Sequence, residues 1–203
     1  MGINQFLSEA MFLITGCGRS GTKYTSAVLK ACGLDVEHER CGNDGAVSGF
    51  WAIDAPEYPY FHQQGKRPVF DVILHQVRHP LNAISSMITA LPKSWNWVCK
   101  FTDLERVKNK VEQAANYWLY WNGLCEHIAA YTYSVESIET HWGTISGLLG
   151  IDCAFPDGIP TNINSRPHNN LTWDDIRVST QNWERIMELA IKYGYEIPER
   201  TDE

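Results

Sequence analysis

The segment Phe12-Leu-Ile-Thr-Gly-Cys-Gly-Arg-Ser-Gly-Thr-Lys-Tyr24 constrains the fold more than any other stretch of the chain. An apolar run, Met11 to Ile14, ends at Gly16. A turn with glycines at positions 16, 18 and 21 follows, carrying Arg19, Ser20, Thr22 and Lys23. Apolar residues then recur as on a helix, at Tyr24, Ala27, Val28 and Ala31. Strand, glycine turn and helix start bring a row of backbone N–H groups and the positive helix end to one point, which suits a phosphate or sulfate. The glycines let the backbone approach an anion closely, and Arg19 and Lys23 add positive charge.

The loop departs from a Walker A motif in one place. That motif continues Gly-Lys-Ser/Thr after its spacer, whereas Thr22 follows Gly21 here. The cation sits earlier, at Arg19. A second apolar run, Phe70-Asp-Val-Ile-Leu-His-Gln-Val77, leads to Arg78-His-Pro-Leu-Asn-Ala-Ile-Ser-Ser86. Pro80 fits the first turn of a helix, on which Asn82 and Ser86 lie one turn apart on the same side. A Walker B strand ends in a metal-binding Asp; this one ends in Arg78, which suits a further phosphate and opposes a metal.

The order Arg19-Ser20-Gly21-Thr22 resembles the 5′-phosphosulfate loop of sulfotransferases that use 3′-phosphoadenosine 5′-phosphosulfate (PAPS). Arg at this place resembles the tyrosylprotein and some carbohydrate branches of that family. Arg78 and Ser86 have the family's spacing for two side chains that hold the 3′-phosphate. The resemblance implies a P-loop NTPase-like sulfotransferase fold, PAPS as sulfuryl donor, PAP as product and no metal. Under it Gly18, Arg19, Ser20, Gly21, Thr22 and Lys23 hold the 5′ end. Arg19 and Thr22 also support the leaving group. Tyr24 stacks on adenine or is a buried helix residue.

The resemblance also directs attention to the catalytic base, a Glu or His beyond the first helix. Val36-Glu-His-Glu-Arg-Cys-Gly42 lies in that neighbourhood. Glu39 is the first candidate, His38 the second and Asp44 the third; paired charges at a solvated strand end are the plain alternative. Strand alternation places Glu37 and Glu39 on one face, and His38 and Arg40 on the other. Near the carboxyl terminus, Asn164-Ser-Arg-Pro-His168 offers Arg166 for the 3′-phosphate, with His168 assisting, or forms an ordinary basic loop.

Alternating strand and helix patterns along the 203 residues imply one α/β domain over 1–203, a three-layer sandwich around a parallel sheet. Strands are expected at 11–15, 35–39, 69–77 and 131–135, and helices at 22–32, 47–53, 104–128, 138–149 and 181–193. Thr172 and Asp175 form a capping-box pattern. Pro56, Pro59, Gly65 and Pro68 mark an irregular loop. The stretch 91–101 reads as a mobile loop on the acceptor side, where Trp95 and Trp97 stack on a sugar ring or plug the surface. The aromatic stripe Tyr117, Trp118, Tyr120 and Trp121 reads as core.

A formal net charge of −7 argues against nucleic acid as a partner. Six scattered cysteines without a C-x-x-C pair read as free thiols, with Cys17 either reactive or a small residue tolerated in the loop. No run is long enough to span a membrane, Gly2 and Phe6 do not form a myristoylation signal, and no signal peptide is apparent. The expectation is a cytoplasmic enzyme of bacterial or viral type acting on a small-molecule, sugar or peptide acceptor. Two other functions fit the same residues: a P-loop nucleotide kinase, and a catalytically inactive nucleotide-binding module. Oligomeric state is not legible from the chain.

Overall fold

The computed structural model describes residues 11–53, 68–163 and 165–198. The expectations concerning Gly2, Phe6, Pro56, Pro59, Gly65 and Asn164 lie outside these residues. The described chain is α/β, with a five-stranded, all-parallel sheet in the order β2-β3-β1-β4-β5. The strands are β1 Phe12–Thr15, β2 Val36–His38, β3 Gly45–Val47, β4 Val72–Val77 and β5 Tyr131–Ser134. The helices are α1 Thr22–Ala31, α2 Pro80–Ile88, α3 Pro92–Val98, α4 Lys110–Ile128, α5 Ile138–Leu149, α6 Trp173–Ser179 and α7 Trp183–Lys192.

Side-chain alternation divides the core between the two faces of the sheet. Phe12, Ile14, Leu74 and Tyr133 pack with α1 and α5, through Val28, Leu29, Ile138, Trp142 and Ile145. On the other face Thr15 meets Cys125 of α4 and His75 meets Asn122 of α4. Helices α2, α4, α6 and α7 share the larger apolar cluster there. The result is three layers. Thr172 and Asp175 form the capping box that opens α6, as their spacing indicates.

The expected helix over 47–53 is replaced by strand β3 and a single 3-10 turn, Phe50–Ala52. Gly45 explains the change. A Cβ there would stand 2.1 Å from the carbonyl oxygen of Phe12, so only glycine lets this strand lie against β1. Parallel neighbours usually need about a dozen connecting residues or more. Here residues 39–44 make the return from β2 to β3 without a helix. Asp44 N–H bonds the Asp35 carbonyl at 3.1 Å, and the Asp44 carboxylate accepts from Asp35 N–H at 2.7 Å. The long helix begins at Lys110 instead of Leu104, because Asn109 caps it through the N–H groups of Val111 and Glu112. Residues 92–98 form helix α3, where a loop was expected.

No helix among the described residues is long and apolar enough to cross a membrane.

Candidate active site

A cavity of about 860 Å³ opens at the carboxyl edge of the sheet. All five strands feed it from just beyond their carboxyl ends. Gly18, Arg19 and Gly21 to Tyr24 follow β1, His38 ends β2 and Glu39 follows it, Phe50 follows β3, Arg78 follows β4, and Val135 and Glu136 follow β5. The chain turns to opposite sides of the sheet on either side of β1, and such a point is where open α/β sheets bind ligands.

The glycine loop is shaped by contacts with β4. A Cβ on Gly16 would lie 2.2 Å from the carbonyl oxygen of Gln76, which forbids any larger residue. Gly21 caps α1 with φ +89°. The buried Gln76 amide donates to Ser20 O at 2.6 Å and accepts from Tyr133 Oη at 2.9 Å. Its oxygen also accepts from the Thr25 hydroxyl on α1. Gln76 thus ties loop, helix and two strands together.

Three guanidinium groups share the cavity with Ser86. Arg19 Nε donates to Ser86 Oγ at 2.8 Å, Arg78 Nη1 to Arg19 O at 3.0 Å, and Arg166 Nη1 to Thr89 O at 3.3 Å. Burial lowers the Arg19 pKa, and the charges of Arg166 and Arg78 lower it further. The cluster therefore accumulates positive charge that an anion would relieve, although the whole chain carries a formal −7. Lys23 adds a cation at the rim and Tyr24 an aromatic face, beside Glu139.

Opposite the glycine loop stand His38 and Glu39, and both line the cavity. Strand alternation would have separated them. Glu39 instead takes a left-handed conformation, φ 64°, directly after β2, which returns its side chain to the side of His38. His38 Nε2 lies 3.0 Å from Thr22 Oγ1 and 3.4 Å from Glu39 Oε1. Ser48 Oγ donates to Glu39 Oε2 at 2.7 Å. Burial raises the Glu39 pKa to about 7, against the hydrogen bonds from Ser48 and Gly49. Burial lowers His38 to about 4, and Lys23 and Arg19 lower it further. At neutral pH the imidazole is uncharged and the carboxyl is poised to exchange a proton. Arg19, φ 72°, and Glu39 are the only non-glycine residues with positive φ among the described residues. Such strain concentrates at functional sites.

The aromatic stripe of α4 is core and also a brace. Tyr117 Oη accepts from Gly18 N at 2.7 Å, Trp118 Nε1 donates to Arg78 O at 3.4 Å, and Trp121 Nε1 donates to Gly49 O at 2.8 Å. Each ring ties one strand-end segment to the helix. Tyr120 lies half exposed on the far side. The carboxyl-terminal segment is fastened to α2: Ser85 Oγ contacts His168 Nδ1 at 2.6 Å and donates to Asn169 O, while Arg166 reaches Thr89. At the end of β5, Glu136 accepts from His79 N at 2.8 Å and Tyr195 Oη at 2.9 Å.

The cavity gathers Gly18, Arg19, Gly21, Thr22, Lys23, Tyr24, His38, Glu39, Arg78, Ser86 and Arg166. Ser20 stands apart. Its side chain is buried away from the cavity with no hydrogen-bond partner among the described residues, and its N–H turns back to Cys17 O at 3.2 Å. Asp44 precedes β3, at the opposite edge of the sheet. Cys17 is buried and its thiol is pushed up to about 12, so it is a packing residue and not a reactive one. Trp95 packs edge-on against Tyr117, while Trp97 lines the cavity. Sequence reasoning missed Gln76, Ser48 and Tyr117. Gln76, the residue two before Arg78 at a strand end, offered the clearest signal, being a polar residue within an apolar run.

No family model, curated protein or solved structure matches the chain.

Proposed function

We propose that the protein transfers the sulfuryl group of PAPS to a hydroxyl or amine acceptor and releases PAP. One observation carries this reading: Arg19, Arg78, Arg166 and Ser86 meet in a single cavity that also holds the half-buried Glu39. Two anionic groups on one nucleotide need two cationic partners, and a nucleophile with a proton to lose needs a base.

PAPS supplies an activated sulfuryl group on a phosphate leaving group. Arg78, Ser86 and Arg166 are assigned to its 3′-phosphate. Gly18, Gly21, Thr22, Lys23 and Arg19 are assigned to its 5′ end, and Tyr24 to adenine. Glu39 takes the acceptor's proton as the acceptor oxygen or nitrogen bonds to sulfur. The bond from sulfur to the 5′-phosphate oxygen breaks, and its electron pair leaves with PAP. Arg19 and Thr22 stabilise that developing charge. The uncharged His38, against Thr22 and Glu39, positions both. A nucleotide kinase reading is disfavoured by Arg78, which stands where a metal-binding carboxylate would be needed.

The test is sulfate transfer from labelled PAPS to phenols, sugars and peptides. Transfer is expected, with Glu39→Gln slower by about 10²–10⁴ and PAP affinity nearly unchanged. PAP binding without transfer to any acceptor would identify a binding module. Preferential binding of ATP with Mg²⁺ would identify a kinase.

A further inference from the structure

Helices α1 and α5 cover one face of the sheet, and a cysteine stands just beyond the end of each. Cys32 is the C-cap of α1, and its N–H returns to the carbonyls of Val28 and Leu29 at 3.2 and 3.1 Å. Gly150, in the left-handed region at φ 68°, ends α5, and Ile151 N returns to Ser146 O at 2.8 Å. Cys153 follows, its carbonyl accepting from Trp142 Nε1 at 2.8 Å. The backbone that carries each thiol is therefore held in place.

The two thiols meet at one point. Both donate to the carbonyl oxygen of Ala154, Cys32 Sγ at 4.0 Å and Cys153 Sγ at 3.0 Å. They are also in hydrogen-bond contact with each other. Each is partly exposed, so a small reagent can reach the pair. Cys17 and Cys125 are neighbours too, but both are fully buried in the core, out of such a reagent's reach.

We propose that Cys32 and Cys153 are a redox-active dithiol, which closes to an intramolecular disulfide by exchange with a small-molecule disulfide such as oxidised glutathione. The cross-link would clamp α1 to the segment that follows α5. That segment carries Phe155, which packs edge-on against Trp142 at 5.4 Å and lines the cavity. Oxidation thus joins one wall of the cavity to the helix that the glycine loop opens. Burial, and then the contact with Cys153, push the Cys32 thiol up to about 12, so Cys32 is the poorer nucleophile and Cys153 attacks first. The Cys153 thiolate bonds to one sulfur of the oxidant, whose S–S bond breaks, and a glutathione thiolate leaves with the electron pair. Cys32 then gives its proton to solvent and attacks the Cys153 sulfur of the mixed disulfide, which releases the second glutathione. The two cysteines are oxidised by two electrons, and the oxidant is reduced to two thiols.

The test is incubation of the full chain with excess oxidised glutathione at pH 8, followed by peptide mapping without reduction and by thermal melting. Expected is a pair of peptides joined through Cys32 and Cys153, with no glutathione retained on either. The melting temperature should rise by at least about 5 °C, because the bond closes a long loop, and dithiothreitol should reverse the rise. Cys32→Ser and Cys153→Ser should each lose both the link and the shift, while Cys41→Ser and Cys99→Ser should keep both. A glutathione adduct that never resolves, a link through another pair, or thiols left unmodified by the excess would overturn the proposal. So would a shift that survives in Cys153→Ser. These readouts do not involve PAP, so the result stands whatever becomes of the sulfuryl-transfer reading.

Discussion

Arg19 and Glu39 hold left-handed backbone that costs a non-glycine residue about 1–3 kcal/mol. Each of the two φ values puts a charged side chain into the cavity that an extended or helical backbone would turn away. Arg19→Gly should therefore raise stability to chemical denaturation by about 1 kcal/mol and weaken PAP at least tenfold. Glu39 links the same trade-off to pH. Its pKa is raised from 4.5 to about 7, so between those values the folded state holds a proton that the unfolded state has lost. Its contribution to stability falls as pH rises through that window. His38, lowered from 6.5 to about 4, has the opposite sign and gains stability as pH rises from 4 to 6.5. Glu39→Gln should accordingly stabilise the protein at pH 8, by on the order of 1–3 kcal/mol, and have little effect at pH 5. The wild-type rate should rise with pH through about 7, and the Gln variant should lose that limb. Arg78→Ala should weaken PAP by roughly 1.5–3 kcal/mol and leave adenosine 5′-phosphosulfate, which lacks the 3′-phosphate, much less affected. Calorimetry on both ligands checks this, and equal losses would reject the assignment.

At the scale of elements, strand β3 and helix α3 bring Phe50 and Trp97 into the cavity that holds Glu39. Gly45 is the condition for β3. Gly45→Ala would set a Cβ against Phe12 O, and φ +154° strains any replacement. The variant should lose at least about 2–3 kcal/mol in urea denaturation, or fail to fold. Gly33→Ala, at φ +87° but with open space around its Cβ, should lose less. The same glycines show what was legible in the chain. The loop after β1 could be read because strand, glycines and helix lie consecutively, so local chemistry and tertiary position coincide. Arg78 and Ser86 could be read for the same reason. The role of Gly45 was not legible, because nothing local distinguishes a glycine that turns from one that lets two strands touch. The alternation rule failed at Glu39 because one residue left the extended region. Gln76 and Tyr117 act on partners far away in sequence, and Ser48 reaches Glu39 only because β2 and β3 pair side by side, so their roles depend on a packing that spacing does not encode. The two tryptophans at 95 and 97 look alike in the chain, yet only Trp97 lines the cavity.

For the whole molecule, a net charge of −7 surrounds a cavity with three clustered guanidinium groups. Local charge decides affinity at short range, since fields beyond roughly 8–10 Å are screened at ordinary ionic strength. The five strand ends, the braces from α4 and the fastened carboxyl-terminal segment all converge on that cavity. Binding there should stabilise the entire domain. PAP at about 100 times its dissociation constant should add about 2.7 kcal/mol and raise the melting temperature accordingly. The most direct measurement compares the affinity of PAP with that of 5′-AMP, which differs by the 3′-phosphate alone. PAP is expected to bind roughly 10- to 150-fold more tightly, the worth of one charge-assisted phosphate site. Equal affinities, or no binding of PAP, would contradict the claim that Arg19 and Arg78 grip the two ends of one nucleotide.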